Sequence, residues 1–195
     1  PSVSHAWMLQ CCRSVGVPEG LLRVISGMYQ WSWTVDGESQ PVFRISSGVL
    51  QGCPLSGSLF VIVLDAALRC FDTLLQADDH GEVRACADDL GFVLSGIEGL
   101  RVIMPVFSVL EVCSGLRLRP DKCVIVPVAA QLTLNLRAVL MDWLTARVPK
   151  FAHFRIASAA KYLGFFLGPG AGTQSWTVPC ATFCRRIAEL LAQPM

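Results

Sequence analysis

Asp88 and Asp89 stand side by side between two short apolar runs, residues 83–87 and 90–94. Runs of that length, interrupted by polar residues, predict a β-hairpin with the acids at its turn. Adjacent carboxylates, partly screened, repel by up to about 4 kcal/mol at an effective dielectric of about 20. Held between two buried strands, such a pair needs a cation to relieve it. Magnesium, which favours one or two carboxylates plus substrate phosphates, is the natural candidate. Asp78-Asp79-His80 carries the same acid pair but follows the polar end of a helical stretch with no apolar strand before it, and so predicts a plain loop.

Other chemistry-bearing residue types form no cluster in the sequence. His5, His80 and His153 have no partner at ligand spacing and carry no catalytic role. The nine cysteines form no CxxC pair and no Cys/His quartet at zinc spacing. Cys180 and Cys184, one helical turn apart, could clasp a metal, but such a lone pair is more often two small apolar residues on one helix face. An odd number of thiols scattered through apolar runs points to a reducing, intracellular compartment, nucleus or cytoplasm, and away from secretion.

Composition bounds the rest. At 195 residues the chain is one domain, or a large piece of one, able to bury roughly 70% of its unfolded surface. With 53% hydrophobic and 16% charged residues it is globular and not disordered. Its longest clean apolar run, residues 59–64, falls far short of the ~20 residues of a membrane-spanning helix. The start has neither an initiator Met nor a signal pattern and reads as a chain cut within an element. Net charge is only +1, yet it is unevenly spread. Residues 1–98 carry five basic and eleven acidic groups, and residues 99–195 eleven basic and four acidic. An acidic half suits metal and a basic half suits phosphate.

The elements that must position these groups follow from periodicity. Ser4 predicts a helix cap, with Trp7, Met8, Cys11, Cys12 and Val15 on one face before Gly16. Pro18 opens a second helix through Leu21, Leu22, Ile25 and Met28. Residues 31–35 and 41–45 alternate about Asp36-Gly37, as a hairpin would, with Trp31 and Trp33 on its faces. After a loop of Gly, Gln and Pro at 48–56, Leu59, Ile62, Val63, Ala66, Ala67 and Phe71 mark a long amphipathic helix. Residues 98–112 predict a helix with Leu100, Met104, Phe107, Val109 and Leu110 inward, kinked by Pro105 unless Pro105 lies in its first turns. A strand over 122–128, a helix over 132–144, a hairpin from 154–156 and 162–167, a glycine-rich break at 168–172 and a closing helix over 180–191 complete the chain. Irregular alternation with several hairpins favours an α+β fold with an antiparallel sheet.

Four blocks in this order resemble reverse transcriptases, most closely those of non-LTR retroelements. Gly48-Val49-Leu50-Gln51-Gly52-Cys53-Pro54-Leu55-Ser56, continuing to Phe60, resembles the G-x-x-Q-G-x-P-x-S-x-x-x-F block. Ala87-Asp88-Asp89 resembles the x-D-D turn, and Gly115-Leu116-Arg117-Leu118 through Lys122 is similar to the G-L-x-L-x-x-x-K block. Lys161-Tyr162-Leu163-Gly164 resembles the primer-grip hairpin, and Ser2 to Leu9 looks like the segment after the first catalytic aspartate.

The resemblance implies a polymerase palm, an antiparallel sheet packed on helices, with part of the fingers in residues 1–168; residues 169–195 would be a linker and the first thumb helix. It implies an RNA-directed DNA polymerase that extends a DNA primer on an RNA template from deoxynucleoside triphosphates. Two magnesium ions roughly 3.5–4 Å apart would be needed. Asp88 and Asp89 would be the metal-binding acids, and Lys122 would neutralise or protonate pyrophosphate. Gln51, Gly52, Pro54 and Ser56 would meet the nucleotide and template base. Lys161, Tyr162, Leu163 and Gly164 would hold the primer end, and Arg185 and Arg186 its phosphates.

The chain departs from the family pattern twice. Cys86 stands where the family has Tyr or Phe, and the aspartate of the first block would lie just before Pro1. As given, the chain would then be inactive alone. Both departures favour an alternative, a palm-like domain that binds nucleic acid or protein without chemistry, or else a decaying element. Asp88, Asp89 and Lys122 oppose it.

Overall fold

The computed structural model describes residues 3–30, 32–50 and 52–191. Trp31 and Gln51 lie outside the described residues. The chain forms two compact units, Pro1–Leu118 and Arg119–Met195.

The first unit runs α1 (His5–Ser14), α2 (Glu19–Gln30), β1 (Trp33–Val35), β2 (Pro41–Arg44), α3 (Ser56–Ala77), β3 (Gly81–Cys86), β4 (Asp89–Leu94) and α4 (Gly99–Ser114). Helix α3 is its spine, and Leu59, Val63, Ala67, Phe71 and Leu75 make a buried stripe at four-residue spacing. One end of that stripe closes a core with Val3, Met8 and Cys12 of the first segment and Leu22, Ile25 and Tyr29 of α2. Towards the other end, Phe71 meets Phe92 of β4 at 5.1 Å and Phe107 of α4 at 4.7 Å between ring centroids, and Phe92 meets Phe107 at 5.8 Å. These tilted and edge-to-face rings fasten the β3–β4 hairpin to both helices, each pair adding about 0.5–1.5 kcal/mol beyond its buried area.

The expected helix faces hold for the most part: Met8, Cys11 and Cys12 of α1 and Leu22 and Ile25 of α2 are buried, but Tyr29 joins them while Leu21 is exposed, and Val15 lies outside α1. On α4 the inward stripe is Leu100, Ile103, Val106, Leu110 and Ser114, whereas Val109 faces solvent. Pro105 sits at the seventh residue of that helix, on its exposed face, where water can serve the carbonyl of Arg101 that loses its donor. Ser4 stands at the cap position of α1, but its side chain caps nothing. Its backbone is used instead, donating to the carbonyl of Ser114 at 2.6 Å and bridging Ser47.

The second unit holds β5 (Val124–Ile125), α5 (Leu134–Arg147), β6 (Arg155–Ile156), β7 (Ala160–Tyr162), β8 (Phe165–Leu167) and α6 (Gln174–Leu191). Thr133 caps α5 by accepting from the N–H of Leu136 at 3.1 Å. The core is small: Leu144, Val148, Phe151 and Ile156 are buried, and Phe151 stacks on Phe154 at 4.7 Å. The expected strand over 122–128 shrinks to two residues, because Pro120 opens a 3₁₀ turn that includes Lys122, and Pro127 follows close behind. Residues 155–156 form no hairpin with 162–167; they pair in parallel with β5, and the hairpin is the local β7–β8 pair. Helix α6 starts at Gln174, six residues earlier than expected. The described strands form four two-stranded pairs, three antiparallel and one parallel, where a single antiparallel sheet was expected. The class is α+β all the same. No described helix is long and apolar enough to cross a membrane.

Candidate active site

The hairpin brings the acid pair to its tip. Cys86 pairs with Asp89 as the last rung, leaving Ala87 and Asp88 as the two-residue turn. Ala87 takes φ 52°, a left-handed conformation that costs a residue with a Cβ about 1–2 kcal/mol. Asp88, Asp89 and Cys86 are all exposed, and Val83 is the one fully buried residue of the two strands. The acids are therefore not held between buried strands as their flanking apolar runs suggest, and water screens their repulsion at the exposed tip. What the tip does offer is two uncommitted carboxylates, with no hydrogen bond or ion pair to either among the described residues. Hard oxygen ligands so presented fit a divalent cation that completes its shell with phosphates. Among the described residues no third His, Cys, Asp or Glu joins them.

The 48–56 loop belongs to the same unit and leads directly into α3. Gly48 and Gly52 take φ 94° and 82°, which side chains rarely adopt, so glycine lets the backbone turn here. Ser56 donates its hydroxyl to the carbonyl of Leu50, closing the loop on itself, while Gly52 and Pro54 are exposed. Two residues that periodicity did not single out hold the loop from outside. His5 Nε2 donates to the carbonyl of Gly48 at 2.9 Å, and Tyr29 Oη accepts from the N–H of Leu50 at 3.4 Å. The imidazole lies edge-on to the phenol ring at 4.8 Å. The sequence signal for them is slight: a histidine opening α1 and a tyrosine one helical turn after Ile25.

The remaining predicted residues lie in the second unit. Lys122 is exposed on the 3₁₀ turn, beside Asp121, whose carboxylate takes two hydrogen bonds from Arg119, at 3.1 and 3.2 Å. Those bonds hold the Asp121 carboxyl below its ordinary range. Burial pushes the neighbouring Cys123 thiol up. Lys161 and Tyr162 end β7, and Leu163 and Gly164 form a turn with φ 48° and 92°, the pattern of a tight two-residue hairpin. Ser175 at the start of α6 accepts from the N–H of Phe166 at 2.7 Å, and Phe165 meets Trp176 edge-on at 6.3 Å. Hairpin and helix are thereby joined, which relates Lys161 to the helix bearing Arg185 and Arg186. Both arginines are exposed; Arg185 pairs with Glu189 at 2.9 Å, an exposed bridge of little energy.

A spine helix that carries a glycine-bearing loop at one end and backs an acid-tipped hairpin at the other has the build of a polymerase palm. A family model described as reverse transcriptase (RNA-dependent DNA polymerase) matches residues 1–167, and the chain belongs to that family. It is also 32% identical over 136 residues to the retrovirus-related Pol polyprotein from type-2 retrotransposable element R2DM of Drosophila melanogaster. That match covers 67% of this chain but only 13% of the fly protein. Reverse transcriptases use divalent metal ions and work with an RNA template, a primer and nucleotides.

Proposed function

We propose that the chain is the palm core, with part of the fingers and the start of a thumb, of an RNA-directed DNA polymerase from a non-LTR retroelement. It would act inside the cell, in nucleus or cytoplasm. The observation that carries this reading is the uncommitted Asp88-Asp89 pair at the tip of a hairpin fastened to α3 and α4, in a chain of this family. Magnesium ions, two in this reading, would supply charge to activate a primer 3′-hydroxyl and to stabilise departing pyrophosphate. Asp88 is the principal ligand and Asp89 the less direct one, with a further carboxylate supplied by the family's first block. Gln51, Gly52, Pro54 and Ser56 form the nucleotide and template contact. Lys122 meets the pyrophosphate. The β7–β8 turn, Lys161 to Gly164, holds the primer end, and Arg185 and Arg186 hold its phosphates.

The test is primer extension on a primed RNA with deoxynucleotides and magnesium, using the protein that carries this chain. Extension that Asp88→Asn abolishes supports the assignment, and extension that survives the change removes it. The exposed thiol of Cys86, where the family has an aromatic ring, favours the second reading, a palm that binds nucleic acid or protein without polymerising. In that case primed RNA is bound, no nucleotide is added, and Asp88→Asn leaves binding as it was.

A further inference from the structure

We propose that His5 is a positioning residue that sets the backbone of the 48–56 loop where it meets the incoming nucleotide and template base. The proposal rests on the reading of that loop given above. A carbonyl can only accept, so the bond to Gly48 requires His5 to carry its proton on Nε2. The ring is held in turn. Tyr29, only 1% exposed, presents its ring at 69° to the imidazole and so fixes the plane in which that N–H points.

Two further bonds meet the same stretch of loop. The N–H of Gly48 donates to the carbonyl of Val3 at 2.8 Å, within the antiparallel bridge that sets Ser4 opposite Ser47, and the N–H of Leu50 reaches Tyr29. Ser56 ties the far side of the loop back to Leu50. The rim is therefore fixed at residues 48, 50 and 56, and Gly52 and Pro54 stand exposed between the anchors. His5 is the one side chain among the described residues that reaches the Gly48 carbonyl. Gly48 is also where the backbone turns left-handed, so a shift there redirects everything up to Ser56.

Two variants separate donor from ring. His5→Phe keeps an aromatic ring against Tyr29 and loses the N–H; His5→Gln gives up the ring and keeps an amide donor. Losing a neutral hydrogen bond corresponds to roughly three- to tenfold in an equilibrium. His5→Phe should therefore raise the KM for deoxynucleotide about fivefold in primer extension, with kcat within about twofold, and His5→Gln should restore most of the difference. Amide hydrogen exchange gives an activity-independent readout. Residues 48–56 should exchange several-fold faster in His5→Phe and recover in His5→Gln, while the amides of α3 stay as they were.

Unchanged loop exchange in His5→Phe overturns the proposal. So does faster exchange throughout α3, which marks general loosening, and so does faster loop exchange with an unaltered nucleotide KM. If the unsubstituted protein extends no primer, the polymerase reading fails, and with it the nucleotide contact. Exchange alone then decides whether His5 holds the loop.

Discussion

The chain carries the Asp-Asp dipeptide at both ends of strand β3, and the two copies have become different objects. Asp78 terminates α3 and Asp79 takes φ 51° in the turn that follows. The backbone there is engaged: the carbonyl of Asp79 accepts from Ser95 Oγ at 2.9 Å, and the N–H of His80 reaches Leu75 at 2.8 Å. This pair belongs to the joint between helix and hairpin, and it faces the negative end of the helix dipole, where acids are disfavoured. Asp88 and Asp89 lie ten residues further along the chain, at a tip closed by the Cys86–Asp89 rung of the strand ladder. The dipeptide does not decide the role. The element behind it does.

Several changes would break or sharpen that contrast. Asp88→Asn should cut primer extension about 1000-fold, equivalent to about 4 kcal/mol of barrier, while Asp79→Asn stays within about twofold. Equal losses at the two sites would erase the distinction. Phe71→Ala removes the ring that both the hairpin and α4 pack against, and should cost about 3 kcal/mol in a denaturant titration. A much smaller cost would mean that the hairpin is held some other way.

Thiol chemistry maps the tip independently. At pH 8, iodoacetamide should modify exposed Cys86 at least about tenfold faster than Cys11 or Cys12, whose burial raises their thiol pKa and lowers the thiolate fraction. The same raised pKa values imply stability that is present below the ordinary thiol range and lost as pH climbs through the folded values. An alkaline melting series from about pH 8.5 upwards would register this. The smallest effect should be Ala87→Gly, which relieves the left-handed strain but loosens the unfolded chain. The net gain should be about 0.5 kcal/mol by thermal melting. A loss there would mean that the alanine methyl makes a contact of value.

Much of this was legible in the residues alone. The Asp88-Asp89 hairpin, the glycine loop, the long α3 and the Leu163-Gly164 turn are written locally, in short apolar runs, a helical stripe and residues that tolerate positive φ. The family could be read because four such local blocks keep their order. Less legible were the edges of the helix faces. Val109 and Ile103 are equally apolar, and only the packing partner determines which of them is covered. The β-branched residues after Lys122 point to a strand, but Pro120, whose ring favours a turn, places Lys122 in the 3₁₀ turn instead.

By itself, then, the sequence determined which elements exist, where the acids fall and which family the chain belongs to, because each depends on residues close together along the chain. Tertiary structure alone decided what those elements meet. It paired β5 with β6 across some thirty residues, exposed the acid tip whose flanking apolar runs suggested buried strands, and brought His5 to Gly48, 43 positions away. Contacts at that separation are set by the shape of the whole core, and local periodicity carries no record of it.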